Sequence, residues 1–445
     1  MKHIFTFFLL IAVSANSFSQ VFDSTAYKKV YKENFENHFF EDSLSTETKI
    51  AGLSKAWAEA KFNFANFDLV PKVNWDSLYY AYIPKVTAAQ NKVDYYRELS
   101  RFYLNLNDGH SGIIPPKELW DQMIARLPIR AKLLDGQVVI TALNSTKEEY
   151  QDLQPRTIIT RVNGIPVMEY TQKNVAPYVN YSTPHDQTAR LYSFFFTQGD
   201  ADEPIELEFI TREGRKKIHS FRRETRDEMF PAAQGWTYRK MAEGTALLTI
   251  NTYNDNKIVA FLDSIFQKVP HAQNLIIDVR NNGGGNGSNG FELLGYLTDK
   301  PFLTGKNMMR SYGPTNRAWG NDPDKLETMQ YDWKPYKGHT FTGKVVVLTG
   351  PDTYSAAEDF TAAFKGMERG VVMGQTTGGS TGQPLFFPLP FGGMGVVCSK
   401  RDLMPDGTEF VGIGIKPDIE VVPTLENYLA GKDETLEAAL KYLQQ

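Results

Sequence analysis

Ser355 is the residue whose neighbours first suggest chemistry. It follows the apolar run Val345-Val346-Val347-Leu348-Thr349 and the turn-forming Gly350-Pro351-Asp352, and it precedes Ala356-Ala357-Glu358-Asp359-Phe360. Ala357, Phe360, Phe364 and Met367 fall on one helical face, with Gly370 as a stop signal. Ser355 therefore stands at a strand-to-helix turn. The first N–H groups of a helix have no intrahelical acceptor, and the helix dipole favours negative charge there. Such a place suits a developing oxyanion, and a hydroxyl beside it suits nucleophilic catalysis. A serine before a helix is more often only an N-cap.

A second feature lies upstream, where the strand-like Leu275-Ile276-Ile277-Asp278-Val279-Arg280 runs into Asn281-Asn282-Gly283-Gly284-Gly285-Asn286-Gly287. Glycines after a strand let the backbone approach a ligand closely and turn N–H groups toward it. The phosphate-loop pattern G-x-x-x-x-G-K-[ST] is absent, and the glycines are contiguous rather than spaced as in a dinucleotide site. On glycine content alone, a plain loop is the default reading.

Together the two segments resemble the catalytic core of the C-terminal-processing and tricorn-like serine peptidases. The matching strings are Ile277-Asp278-Val279-Arg280-Asn281-Asn282-Gly283-Gly284-Gly285, Thr353-Tyr354-Ser355-Ala356-Ala357-Glu358 and Gly412-Ile413-Gly414-Ile415-Lys416-Pro417-Asp418. They occur in the family's order and span most of residues 236 to 425. The resemblance implies a crotonase-like βα superhelix, Ser355 as nucleophile, and an oxyanion hole built from the N–H groups of Ala356 and Gly284. The processing-peptidase branch takes its base from a lysine in a loop that corresponds here to Gly374-Gln375-Thr376-Thr377-Gly378-Gly379-Ser380-Thr381-Gly382, which holds no lysine. The tricorn-like branch uses a far-upstream histidine, and Leu106-Asn107-Asp108-Gly109-His110-Ser111 resembles its element. His110 is thus the expected base, since an imidazole titrating near neutrality can take and return a proton.

The group that orients His110 stays open. Gly109 stands where that branch has a serine, and Val411 where many relatives have a glutamate. Glu409 lies two residues before Val411 and on a strand would share its face, which makes it the expected partner. Asp108, Glu358 or a plain Ser–His dyad are the alternatives. An esterase or lipase reading lacks the G-x-S-x-G motif around Ser355. A non-catalytic ligand- or peptide-binding protein on the same fold is the rival from a different class, because fold does not fix function.

The elements that must position these residues are an α/β, multi-domain arrangement. Residues 226–445 alternate strands and helices: Ala246–Ile250, a helix from Lys257 to Lys268, then strands at Asn274–Val279 and Lys344–Thr349, a pattern of buried parallel sheet. Residues 126–225 are β-rich, with runs at Val138–Leu143, Thr157–Val162 and Ile205–Ile210. The strand ending in Val162-Asn163-Gly164-Ile165-Pro166 resembles a PDZ domain, which would bias binding toward a polypeptide C-terminus. Residues 20–125, carrying His110, show helical spacing at Leu53, Ala56, Trp57 and Ala60.

Lys2-His3, the apolar Ile4–Val13 and the small residues up to Ser19 have the order of a secretory leader, expected to be removed as residues 1–19. Export to the periplasm or the exterior follows, with no integral membrane segment in the mature chain. Lys plus Arg total 48 against 52 Asp plus Glu, a net charge of −4, with no basic cluster suited to nucleic acid. Scattered histidines and a single cysteine, Cys398, exclude a disulfide within the chain and give no metal-site spacing. Neither metal nor cofactor is expected. Polypeptide is the expected partner.

Overall fold

The computed structural model describes residues 23–36, 42–193, 195–225, 235–242, 244–269, 272–336, 338 and 340–445. The expected leader, residues 1–19, lies outside them. The chain divides into two units, residues 1–40 and 41–445. In the first, the helix Ser24–Glu36 is started by Asp23, whose carboxylate accepts the N–H groups of Thr25 and Ala26.

In the larger unit, the uninterrupted apolar runs become the middle of a six-stranded sheet. Its order is Ile419–Glu420, Val371–Gly374, Lys344–Thr349, Asn274–Asp278, Thr245–Ile250 and Trp236–Lys240. All neighbours are parallel except the last pair, an antiparallel hairpin at one edge. Leu248, Ile277 and Val347 face a core shared with Leu262, Leu293 and Phe360, which come from the helices Lys257–Phe266, Gly287–Gly295 and Ala356–Gly366. Ile276, Val346 and Leu348 face Ala439 and Leu443 of the C-terminal helix Glu434–Leu443. Burial on both faces is why these strands read as continuous hydrophobic runs. Each such side chain contributes about 1.5–3 kcal/mol by leaving water.

Asn274–Asp278 and Lys344–Thr349 run in parallel register, with Asp278 opposite Leu348. The loops that follow them, one carrying Gly283–Gly285 and the other Ser355, therefore leave the same edge of the sheet. This is the usual place for a ligand site in an open parallel sheet.

The helices Thr46–Asn63, Trp75–Ala88 and Lys92–Leu104 start at the capping side chains of Ser45, Asn74 and Asn91. They bury Leu53, Ala56, Tyr96 and Phe102 against Phe387, Val397 and Cys398. Cys398 is fully buried, packing as a small apolar side chain. The short strand Gly112–Ile114 pairs antiparallel with Met394–Cys398, so the segment that follows His110 is sewn onto a strand from the far end of the chain.

The β-rich region forms an antiparallel sheet in the order Ile129–Leu134, Gln137–Leu143, Ile158–Val162, Ile205–Ile210 and Lys216–Phe221. Ile165–Pro166 folds back on Ile158–Val162 through Asn163 and Gly164, both left-handed (φ 48° and 72°). Two positive φ values define the type I′ turn that an Asn-Gly pair favours. The helix Pro184–Ser193 buries Leu191 and Tyr192 against this sheet. Among the described residues, no helix is long and apolar enough to cross a membrane.

Candidate active site

Ser355 caps the helix Ala356–Gly366 with φ 54° and ψ −128°, outside the ordinary regions for an L-residue. Its side chain makes no capping bond, so the bland N-cap reading fails. A strained residue is held only where its surroundings over-determine it. Here the Ser355 N–H donates to the Ser380 carbonyl (3.0 Å), and the Ser355 carbonyl accepts from the N–H groups of Glu358 (2.7 Å) and Asp359 (3.1 Å).

His110 arrives from the helical region. Asn107 is left-handed (φ 46°) and turns the chain after the helix Lys92–Leu104. Buried Asp108 then accepts from the His110 N–H (3.0 Å), the Ser111 hydroxyl (2.8 Å) and the Asn66 amide (3.1 Å). These bonds fix the backbone and engage the Asp108 carboxylate. The imidazole Nε2 lies 2.9 Å from the Ser355 hydroxyl oxygen, and Nδ1 lies 2.8 Å from the Ser380 hydroxyl oxygen. One face of the ring stacks on Tyr354, with centroids 5.1 Å apart and planes within 11°. The Arg190 guanidinium lies over the Tyr354 ring.

Ser380 is held from behind by Glu358, which is fully buried one helical turn after Ser355. The Glu358 carboxylate accepts from the N–H groups of Ser380 and Gly379 (2.7 Å each) and from the Thr377 hydroxyl (2.6 Å). Burial pushes its carboxyl up to about 7, against the pull of these donors. Burial, then Arg190 and Lys400, push the His110 imidazole down to about 3. The ring is therefore neutral near pH 7 and able to accept a proton.

The β-rich region braces both loops. The Gly109 N–H donates to the Ser182 hydroxyl (2.9 Å), and the Thr183 hydroxyl donates to the Gly378 carbonyl (2.9 Å). His185 Nε2 lies 2.7 Å from the Thr377 carbonyl oxygen, a packing role.

Gly284 lies against Ser355. A Cβ there would fall 2.6 Å from Ser355 Cβ and 3.0 Å from the Ala356 nitrogen, and φ is 96°. Only glycine allows that approach. The Ala356 N–H opens the helix and points from its first turn. The Gly284 N–H donates to the Asn282 side-chain oxygen (2.9 Å), so it is already engaged in this structure.

Glu409 is a correction. The expectation assumed a strand running through 411, but Glu409 forms only an isolated bridge to Leu403, and 411–413 are a turn. The alternation of faces does not apply there. Glu409 is half exposed and pairs with Arg401 (3.1 Å). The position beside His110 Nδ1 belongs to Ser380, which the sequence reading missed. Its one available signal was a hydroxyl residue in the very loop where the processing branch carries a lysine.

The arrangement can transfer a proton from a serine hydroxyl to a neutral imidazole beside helix N–H donors. No group of three or more His, Cys, Asp or Glu side chains among the described residues could hold a metal ion.

Residues 244–421 match the family model described as Peptidase family S41. Among curated proteins, the chain is similar to a probable CtpA-like serine protease of Staphylococcus aureus, 21% identical over 312 residues, covering 67% of this chain and 55% of that protein. A namesake from Staphylococcus haemolyticus is 22% identical, covering 69% and 56%. The chain spans about half the length of these relatives. Among solved structures, mature CPAF complexed with lactacystin superposes with a TM-score of 0.68 at 16% identity, covering 90% of this chain and 98% of that one. A putative peptidase from Parabacteroides merdae gives 0.55 at 19% identity, covering 90% and 97%. The photosystem II D1 C-terminal processing protease gives 0.52 at 18% identity, covering 87% and 98%. At such identities these likenesses establish a common fold. Residues 244–421 thus match the S41 peptidase family, within a chain that shares the fold of these structures.

Proposed function

We propose that this protein hydrolyses peptide bonds as a serine peptidase, with Ser355 as nucleophile and His110 as general base. The observation that carries the reading is the 2.9 Å contact between His110 Nε2 and the hydroxyl of a backbone-strained Ser355. Ser355 donates its proton to Nε2 as its oxygen attacks the scissile carbonyl. His110 then returns the proton to the departing amine, leaving an acyl-enzyme that water cleaves by the same route. With Nε2 accepting, Nδ1 carries the ring proton and donates it to Ser380.

The Ala356 N–H faces the developing oxyanion, and the Gly284 N–H joins it by turning from Asn282. Burial, Arg190 and Lys400 all oppose an imidazolium in the resting site. The charge becomes tolerable when the oxyanion forms beside it, which favours the transition state over the ground state.

The β-rich region, PDZ-like in its Val-Asn-Gly hairpin, places substrates so that cleavage falls at or near their C-termini. The leader-like first 19 residues support action outside the cytoplasm. Labelling with a serine-directed phosphonylating reagent, followed by peptide mapping, tests the reading. Modification confined to Ser355 is expected, and an unmodified Ser355 in an active preparation refutes it.

A further inference from the structure

A cavity of about 970 Å³ adjoins the glycine loop. Its walls include Gly283 and Gly284, residues of the strand Ile129–Leu134 in the β-rich region, and parts of the segment 423–434. Gly284 connects it to the chemistry, because that residue packs directly against Ser355. Six of the lining side chains are basic and two are acidic, in a chain whose net charge is −4.

Both acidic side chains are already occupied. Asp433 is held bidentately by Arg280 (2.7 and 2.8 Å). Glu434 accepts from the Thr424 N–H (2.6 Å) and the Asn427 amide (2.8 Å). Arg280 is in turn neutralised by Asp278 as well, and Lys132 stands 3.9 Å from Asp352. Arg126 is half-buried and has a partner of its own, so the positive excess rests on Arg130, Arg156 and Lys432, all exposed.

Ordinary solvated surface cations are spread out and mobile. These surround one concave space, whose low-dielectric walls focus their field. Arg156 is also constrained. Its backbone is left-handed (φ 79°), and its guanidinium lies over Gly431, where a Cβ would come within 2.5 Å of it. A cation held in place before binding costs less ordering when a carboxylate arrives.

We infer that this cavity selects polypeptide substrates bearing Asp or Glu side chains, recognised by Arg130, Arg156 and Lys432. The inference rests on the peptidase reading above and adds to it a substrate class.

The full-length Ser355→Ala variant supplies the test, because binding can be read without turnover. Fluorescent peptides of one length, amidated at the C-terminus and carrying several Glu or the matching Gln residues, are compared by anisotropy. The Glu peptide is expected to bind at least about tenfold more tightly at low ionic strength. The difference should collapse near 1 M salt, where the screening length is about 3 Å. Adding Arg130→Glu and Arg156→Glu should reverse the order and favour a Lys-bearing peptide, a gain that an unfolded variant cannot show. Equal affinities, or a Glu preference that survives the charge reversal, overturn the inference. So does a preference seen only with a free C-terminus, which assigns the carboxylate to the chain end. Glu-selective binding with no cleavage by the unmutated protein sinks the peptidase reading and leaves this one standing. Cleavage without charge preference does the converse.

Discussion

The Glu358 carboxylate receives the Ser380 amide at 2.7 Å, while the Ser380 hydroxyl lies 2.8 Å from His110 Nδ1. The acid and the imidazole are thus linked through one serine rather than by direct contact. Because Glu358 and Ser355 share a helical turn, the element that presents Ser355 also anchors the residue bonded to His110 Nδ1.

Ser355→Ala should abolish peptide hydrolysis, on the order of 10⁴-fold or more in kcat, with the melting temperature retained. His110→Ala should lose nearly as much, and the double variant little more, because the two act as a unit. Turnover measurements on an unfolded protein substrate check this. Additive losses would mean that the pair does not act together.

Ser380→Ala should lower kcat about 5- to 150-fold, the equivalent of about 1–3 kcal/mol for leaving the Nδ1 proton without a partner. Glu409→Gln should leave kcat within about twofold. It removes one half-exposed partner of Arg401, an interaction worth about 0–1 kcal/mol. If Glu409→Gln proved the more damaging of the two, the relay through Ser380 would be wrong.

Glu358 makes the site pH-dependent with a definite sign. Its folded carboxyl is raised from 4.5 to about 7, so its contribution to stability is full below 4.5 and is lost as pH rises through about 7. The loss is on the order of 3 kcal/mol. Over the same rise, the ionised carboxylate favours the imidazolium through Ser380, so kcat/KM should increase. Glu358→Gln should flatten both trends. His110, lowered to about 3, acts in the opposite sense, and its stabilising effect is lost as pH falls from 6.5 through that value. Parallel denaturation and kinetic profiles from roughly pH 3 to 9, which span both transitions, read both. Identical profiles in the Gln variant would exclude Glu358 as the titrating group.

Gly284→Ala should reduce kcat/KM by about 10²-fold or more, since its methyl would collide with Ser355 and displace the loop. At Gly283 an added Cβ meets nothing within 4 Å, so Gly283→Ala should change stability by less than about 0.5 kcal/mol. Comparable melting temperatures for the two variants would argue against the close approach at Gly284.

Much of the scaffold was legible because its strands keep a pattern that burial dictates, continuous where both faces are covered and alternating where one is. Lys344–Thr349 and Ile205–Ile210 lie where their apolar patterns place them. Ser355 and His110 stood out because each sits in a turn whose flanking residues have narrow backbone requirements. Ser380 did not, because its role depends on a side-chain rotamer and on two other loops meeting it. Glu409 misled for a related reason: the two-residue period holds only where strand geometry continues, and there the chain turns at 411. The Asn282 bond to Gly284 was equally invisible, since a glycine run does not say where its N–H groups point.

Ser355 lies 245 positions from His110, and Ser380 lies 270 positions from it. The strand beside His110 is paired with residues beyond 390. Contacts of such long range form late and slowly, after the cost of closing very large loops. A nascent or partly unfolded chain, even one synthesised past Ser355, therefore holds Ser355 and His110 apart. The topology itself thus delays the assembly of the site until the last third of the chain has folded.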